Sequence, residues 1–182
     1  MASHEDHGIL PVPTLSPAPH LLVVCAPFYR KIADGLIAGA KGALEAAGAT
    51  CEVIEVPGAL EIPTAIRLAA RARRYDGFVA LGCVIRGETT HYETVCNDSS
   101  RGLTLLGLEG ICLGNGILTC ETMEQAEVRA DPAAMNKGGA AAEAALHLVA
   151  LDRRFAPARA AGRDRAPEGE ILLAGDPRDG VA

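Results

Sequence analysis

Four short apolar runs alternate along the chain with longer stretches of helical periodicity, and few folds are compatible with this alternation. The apolar runs lie at residues 20–26, 50–56, 78–85 and 111–118. Each has the length of a strand, and the fourth is interrupted by Gly114-Asn115-Gly116. Because strands separated by helices normally lie parallel to one another, the alternation predicts a parallel sheet covered by helices on both faces.

Apolar residues recur at helical spacing in the segments that follow the strands. The pattern predicts helices at about residues 32–47, 60–74, 91–106, 122–130 and 136–155. Gly48 is placed to end the first helix. Two pairs, Thr90 with Glu93 and Thr122 with Gln125, have the spacing of a capping box at a helix start. The chain is therefore expected to have an α/β fold, a flavodoxin-like three-layer α/β/α sandwich with a central parallel sheet of about four strands.

The 182 residues have the size of one domain with short extensions at both ends. Residues 1–19 contain four prolines among small and polar residues, which predicts an extended N-terminal arm, able to add to a neighbouring subunit. Residues 20–155 form the predicted α/β domain. Residues 156–182 are rich in Pro, Gly, Arg and Asp and predict a flexible C-terminal tail.

Charge and hydropathy argue against two classes of partner. The formal net charge is -6, whereas a nucleic-acid-binding surface needs a basic patch. No apolar stretch approaches the ~18 residues of a membrane-spanning helix. The first residues are acidic, whereas a secretory signal begins with basic residues. We therefore expect no nucleic-acid partner, no membrane and a cytoplasmic location.

The six cysteines do not form a recognisable metal or redox motif. No Cys-x-x-Cys occurs, and no His lies at zinc-site spacing from a pair of cysteines. Cys25, Cys51, Cys83 and Cys112 fall on predicted strands, where a thiol packs as a small apolar group. We expect all six to be reduced and structural, with no metal and no cofactor.

The stretch from Gly82 to Gly102 carries the clearest chemical signal. A buried strand ends at Ile85, a polar turn follows at residues 87–90, and the next helix is predicted to begin near His91. Unpaired backbone N–H groups at a helix N-terminus, beside threonine hydroxyls, favour a phosphate. An imidazole beside them can accept or donate a proton. The alternative is that His91 only caps or packs against the helix.

Two further residues are predicted at the same edge of the sheet. Glu61 lies at the start of the helix that follows the second strand, and Arg129 lies on the helix after the fourth strand. Because parallel strands end at one edge, their carboxyl ends bring both side chains toward the polar turn. Glu61 can bind hydroxyl groups of a ligand, or it can simply stabilise the helix dipole by about 0.3–1 kcal/mol.

Four separated motifs together resemble 6,7-dimethyl-8-ribityllumazine synthase. They are Pro57-Gly58-Ala59-Leu60-Glu61-Ile62-Pro63, Gly82-Cys83-Val84-Ile85-Arg86-Gly87-Glu88-Thr89-Thr90-His91-Tyr92, Gly116-Ile117-Leu118-Thr119 with Glu124-Gln125-Ala126 and Arg129-Ala130, and Asn136-Lys137-Gly138. The resemblance covers roughly residues 20–155. It implies condensation of 5-amino-6-(D-ribitylamino)uracil with 3,4-dihydroxy-2-butanone 4-phosphate, the penultimate step of riboflavin synthesis, without metal or organic cofactor.

The resemblance also implies the roles of individual residues. His91 would be the acid/base, and the Glu88 backbone and Thr89 would hold the phosphate together with Arg129. Phe28 would stack on the pyrimidine, and Glu61 would accept ribityl hydroxyls. The other implied contacts are Ala59 and Leu60 on the pyrimidine and ribityl side, backbone groups of Cys83, Val84 and Ile85, and Asn115. Sites in this family lie between neighbouring subunits of a homopentamer, so Asn115 and Arg129 would come from the adjacent chain.

The chain departs from the usual family pattern at Tyr29, Asn115 and Ala133, where an Asn, an aromatic residue and a Lys respectively are common. Two rival functions stay open from the sequence. One is a non-catalytic flavin- or lumazine-binding or shell protein on the same scaffold. The other is a generic phosphosugar enzyme. Whether pentamers remain free, pair or close into a larger shell is also left open.

Overall fold

The computed structural model describes residues 10–160, and residues 1–9 and 161–182 lie outside the described part. Strands and helices alternate as the sequence predicts. In chain order the elements are β1 (His20–Cys25), α1 (Arg30–Ala46), β2 (Thr50–Glu55), α2 (Glu61–Ala70), β3 (Gly77–Ile85), α3 (His91–Leu108), β4 (Leu113–Cys120), α4 (Met123–Ala130) and α5 (Lys137–Ala160). About half of the arm and most of the predicted tail therefore fall where no structure is described.

The strands form one parallel sheet in the order β2-β1-β3-β4, which confirms the predicted fold class. Val53, Val23, Val79 and Gly114 lie in register across it. The central strand β3 is buried over most of its length, whereas the edge strand β2 is half exposed. The apolar run of β3 and the mixed sequence of β2 follow from these two positions.

Helices cover both faces of the sheet, giving three layers. On one face α1, α4 and α5 pack through residues such as Leu36 and Leu146. On the other face α2 and α3 pack through residues such as Ile66 and Leu103. The side chains of β1 alternate between the two cores, as the two-residue period of a strand requires.

The glycines of the fourth strand do not interrupt it, contrary to the expectation from the sequence. β4 is continuous through Gly114 and Gly116. A Cβ atom at Gly114 would collide with the carbonyl oxygen of Ala141 on α5. Gly114 therefore lets the backbone of α5 approach the sheet closely, and Gly116 leaves room for the side chains of Leu81 and Ala141.

Of the two helix caps predicted from the sequence, one is confirmed and the other is wrong. Thr122 accepts a hydrogen bond from the Gln125 backbone N–H at 3.3 Å, as a capping residue does. Thr90 forms no such bond, because its backbone is already helical, with φ -66° and ψ 0°, whereas that of Thr122 is extended. The Glu93 carboxylate binds Arg86 and does not reach back toward Thr90.

Other differences are small. Gly48 ends α1 with a φ of 72°, as expected. α2 ends at Ala70, earlier than predicted, because the chain turns through Arg73 at a φ of 51°. Cys112 lies immediately before β4, outside the strand in which it was predicted. The helix α5 extends past Phe155 to Ala160.

Within residues 10–160, no helix has the length and apolar character needed to cross a membrane. The same residues contain no group of three His, Cys, Asp or Glu side chains placed to hold a metal ion. All six cysteines are described, and each is a free thiol.

Candidate active site

A cavity of about 440 Å³ opens at the carboxyl ends of the strands. The loops after β1, β2 and β3 and the first turns of α2 and α3 form its walls, so it lies where parallel α/β sheets bind ligands. The predicted site residues that line it are Phe28, Ala59, Leu60, Glu61, Cys83, Val84, Ile85, Thr89 and His91. Three predicted residues, Glu88, Asn115 and Arg129, do not line this cavity.

The turn between β3 and α3 presents backbone N–H groups at the cavity edge. His91 is the first residue of α3, and its N–H points to the Thr89 Oγ1 atom at 3.4 Å. The N–H groups of Glu88, Thr89 and Thr90 donate to no acceptor within the described part of the chain. Together with the positive end of the helix dipole, they suit an anion such as a phosphate. Glu88 can act here through its backbone N–H.

Phe28 provides a flat apolar surface at the cavity mouth. Its side chain is 75% exposed, which is unusual for phenylalanine. The Tyr29 ring contacts it edge-on, with centroids 5.0 Å apart and planes at 73°. One face of Phe28 is therefore available for stacking on a heterocycle.

Glu61 is the first residue of α2, beside the Pro57-Gly58 turn. Its backbone N–H donates to the Gly58 carbonyl at 3.2 Å. A Cβ atom at residue 58 would lie 2.9 Å from the Glu61 Oε2 atom, so the glycine leaves room for the carboxylate over the turn. The carboxylate is exposed to the cavity and can accept hydrogen bonds from hydroxyl groups.

Cys83 forms part of the apolar wall and is not a nucleophile. Burial is the main cause that raises the pKa of its thiol to about 12, and nearby Cys120 contributes. The thiol is therefore neutral at physiological pH, and a neutral thiol is a poor nucleophile.

Asn115 and Arg129 line a second cavity, of about 400 Å³, along residues 115–119 of β4. Arg129 donates to the Gln125 carbonyl at 3.0 Å, and Asn115 Oδ1 accepts from the Ile117 N–H at 3.0 Å. Lys137, the first residue of α5, lies in the same cavity. Sequence reasoning did not select Lys137, although it lies within the Asn136-Lys137-Gly138 motif. Within one chain, these residues do not meet His91 in one cavity.

Sequence reasoning also missed a charged cluster next to the phosphate-suited turn. Arg86 donates to Glu93 Oε1 at 2.5 Å and to Glu121 Oε2 at 2.6 Å. Its guanidinium carbon lies 4.1 Å from the centroid of the Tyr92 ring. The cluster joins the end of β3, the start of α3 and the end of β4.

The fold and the cavity define an α/β protein with a small-molecule site, suited to a phosphate group and to a planar ring, at the ends of its parallel strands. Comparison with known proteins specifies the family. The family model of 6,7-dimethyl-8-ribityllumazine synthase matches residues 18–153. This chain belongs to that family.

Individual relatives agree with the family match. A protein from Jannaschia sp. (strain CCS1) is 53% identical over 175 residues, covering 96% of this chain and 97% of the relative. Proteins from Erythrobacter litoralis and Novosphingobium aromaticivorans are 56% and 57% identical over 134 residues, covering 74% of this chain and 96% of each relative. All three are named 6,7-dimethyl-8-ribityllumazine synthase. The expected family and enzyme class, a transferase of riboflavin biosynthesis, are confirmed.

Proposed function

We propose that this chain condenses 5-amino-6-(D-ribitylamino)uracil with 3,4-dihydroxy-2-butanone 4-phosphate, forming 6,7-dimethyl-8-ribityllumazine and releasing phosphate and water. One observation carries the proposal: an imidazole, a row of unpaired backbone N–H groups and an exposed aromatic ring share the edge of one cavity. These groups match a proton-transfer step, a phosphate ester and a pyrimidine respectively.

Each half of the reaction has residues suited to it. Phe28 would stack on the pyrimidine, and Glu61 would accept hydrogen bonds from the ribityl hydroxyls. Backbone groups of Cys83, Val84 and Ile85 would pair with the edge of the heterocycle, beside Ala59 and Leu60. The turn at Glu88 and Thr89 would hold the phosphate, so that the two substrates meet in front of His91.

The chemistry is a series of proton transfers. The free amine attacks the ketone carbon, and loss of water gives an imine. Removal of a proton from the carbon next to the imine allows the C–O bond to phosphate to break, and phosphate leaves with that electron pair. The enol left by this elimination takes up a proton at its terminal carbon and loses its hydroxyl proton, which gives a methyl ketone. The ribitylamino nitrogen then attacks this new carbonyl carbon and closes the ring with loss of a second water. His91 is placed to accept and return these protons, and no step needs an oxidant or a reductant.

We also propose that the site is completed by a second copy of the chain in a homopentamer or a multiple of pentamers. Arg129 and Asn115 carry groups suited to the substrates, yet they line a different cavity of their own chain. Apolar side chains on the outer part of α3 are well exposed, with Leu105 at 55% and Leu108 at 81%. Exposed leucines close together favour burial against a partner surface. The N-terminal arm would add to the neighbouring subunit.

A cytoplasmic location is part of the same proposal. The six free thiols suit a reducing compartment, because oxidising compartments favour disulfides.

The reaction predicts coupled formation of two products. Purified full-length protein mixed with both substrates should release one phosphate for each lumazine formed, followed by product absorbance and a phosphate assay. Omission of either substrate is the control and should abolish both signals. Tight binding of the pyrimidine without product would instead support a non-catalytic binding protein.

A further inference from the structure

Arg86 is the residue at this site that the reaction itself leaves unexplained. It follows the last residue of β3, and its backbone N–H donates to the Cys120 carbonyl at 2.9 Å. Its guanidinium is held by two carboxylates and rests on the Tyr92 ring. With both carboxylates bound, this cation is neutralised and is not free to bind the phosphate directly.

Glu93 is the acidic residue in the first turn of α3. A carboxylate at this position is stabilised by free N–H groups of the helix N-terminus and commonly folds back onto them. Here its Oε1 atom accepts from Arg86 Nη1 instead, and no bond joins the carboxylate to the N–H groups of Glu88, Thr89 or Thr90. The bond from the Thr90 N–H to the Glu93 side chain, one half of the predicted capping box, is absent for this reason.

The free N–H groups and Glu93 nevertheless lie close together. The pKa of the Glu93 carboxyl is lowered, first by the hydrogen bond from Arg86 and next by the backbone N–H of Glu93 itself. Glu93 is the third residue of α3, so its carboxylate is attached within the first turn, three residues past Thr90, even while Arg86 holds it. Without Arg86, it would be an anion of the same chain competing for the groups that suit a phosphate.

We propose that Arg86 is a positioning residue that keeps the carboxylate of Glu93 off the N-terminus of α3, so that its backbone N–H groups stay available to the phosphate of the substrate. This inference rests on the proposed function, since it concerns the same anion site. Arg86 acts through Glu93, and it touches neither substrate.

Glu121 offers a matched control. Both carboxylates bind the same guanidinium, at 2.5 and 2.6 Å, and both lose their partner when Arg86 is replaced. Glu121 lies just past the end of β4, whereas Glu93 lies in the first turn of α3. If competition for the helix N-terminus is the cause, neutralising Glu93 restores phosphate binding and neutralising Glu121 does not.

The test uses Arg86→Met, which keeps a long side chain on the Tyr92 ring, and two double variants. Arg86→Met should raise the KM for the butanone phosphate about tenfold, with kcat and the KM for the pyrimidine within about twofold. Adding Glu93→Gln should bring the KM for the phosphate substrate back to within about threefold of wild type. Adding Glu121→Gln should leave it raised. Arg86→Leu, which is also uncharged, replaces Arg86→Met in all three proteins if thermal unfolding shows that the Met variant is not folded.

Calorimetric titration of the same proteins with inorganic phosphate separates this inference from the proposed reaction. Phosphate should bind Arg86→Met and its Glu121→Gln double variant more weakly than wild type, and the Glu93→Gln double variant nearly as tightly as wild type. This order of affinities should hold whether or not the wild type turns over. Absence of turnover with that order retained would refute the reaction and support the role of Arg86. The inference would be overturned if the two double variants had the same KM for the butanone phosphate and the same phosphate affinity. It would also be overturned if Arg86→Met changed kcat and both KM values by similar factors.

Discussion

Replacement of His91 by Gln is expected to lower kcat by about 10²–10⁴-fold, the usual contribution of a positioned acid/base. The amide retains hydrogen-bonding capacity but cannot accept and return a proton. His91 lies at the exposed start of α3, so the substitution should leave the fold intact. The KM values for both substrates should change by less than about threefold, measured by steady-state assays of product absorbance.

His147→Gln is the control for this experiment. His147 lies on α5 and lines neither cavity, so its kcat should stay close to that of wild type. A kcat for His91→Gln within about twofold of wild type would show that His91 does not transfer the protons, and the acid/base would have to be another group in the cavity.

A pair of glycine substitutions should change stability in opposite directions. Gly138 lies in the first turn of α5, and a Cβ atom there would collide with the backbone carbonyl of Leu36 on α1. Since a backbone cannot move aside cheaply, Gly138→Ala should cost about 2–3 kcal/mol of unfolding free energy. Gly42 lies inside α1 with nothing within 4 Å of a built Cβ atom, so Gly42→Ala should gain about 0.5–1 kcal/mol.

Denaturant unfolding at one fixed protein concentration measures both effects, because self-association also contributes to apparent stability. The midpoint should fall for Gly138→Ala and rise for Gly42→Ala, with similar slopes. Unchanged stability of Gly138→Ala would mean that α1 and α5 do not approach as closely as the structure describes.

The alternation of apolar runs with helical periodicity was sufficient to predict the layers and the parallel sheet. Each strand carries its own burial pattern, so a central strand and an edge strand differ already in sequence. The end of α1 was predictable because glycine adopts a positive φ without strain, and Gly48 does so just after the helix.

Predictions failed where a residue has more than one partner within reach. The spacing of Thr90 and Glu93 is correct for a cap, but spacing cannot reveal that Arg86 competes for the carboxylate. The glycines of β4 resembled a break because the helix that packs on them, around Ala141, is distant in sequence. Both errors come from tertiary contacts that a local pattern does not contain.

The candidate site was predictable to different degrees. The phosphate-suited turn and Glu61 followed from strand ends and helix starts, and the structure brings them to one cavity. Phe28 and Asn115 came only through the family resemblance. The Arg86 cluster could not be predicted from a local pattern, since Glu121 is 35 residues away from Arg86 along the chain.

A mixture of two inactive variants tests most sharply whether neighbouring subunits share each site. His91→Gln and Arg129→Met should each lose about 10²-fold or more in kcat/KM when assayed alone. Unfolded together in equal amounts and reassembled, they should recover about one quarter of the wild-type activity, because an intact His91 then faces an intact Arg129 at about one site in four. Each variant reassembled alone is the control. A mixture no more active than these controls would contradict the shared site, and with it the proposal that one subunit completes the cavity of the next.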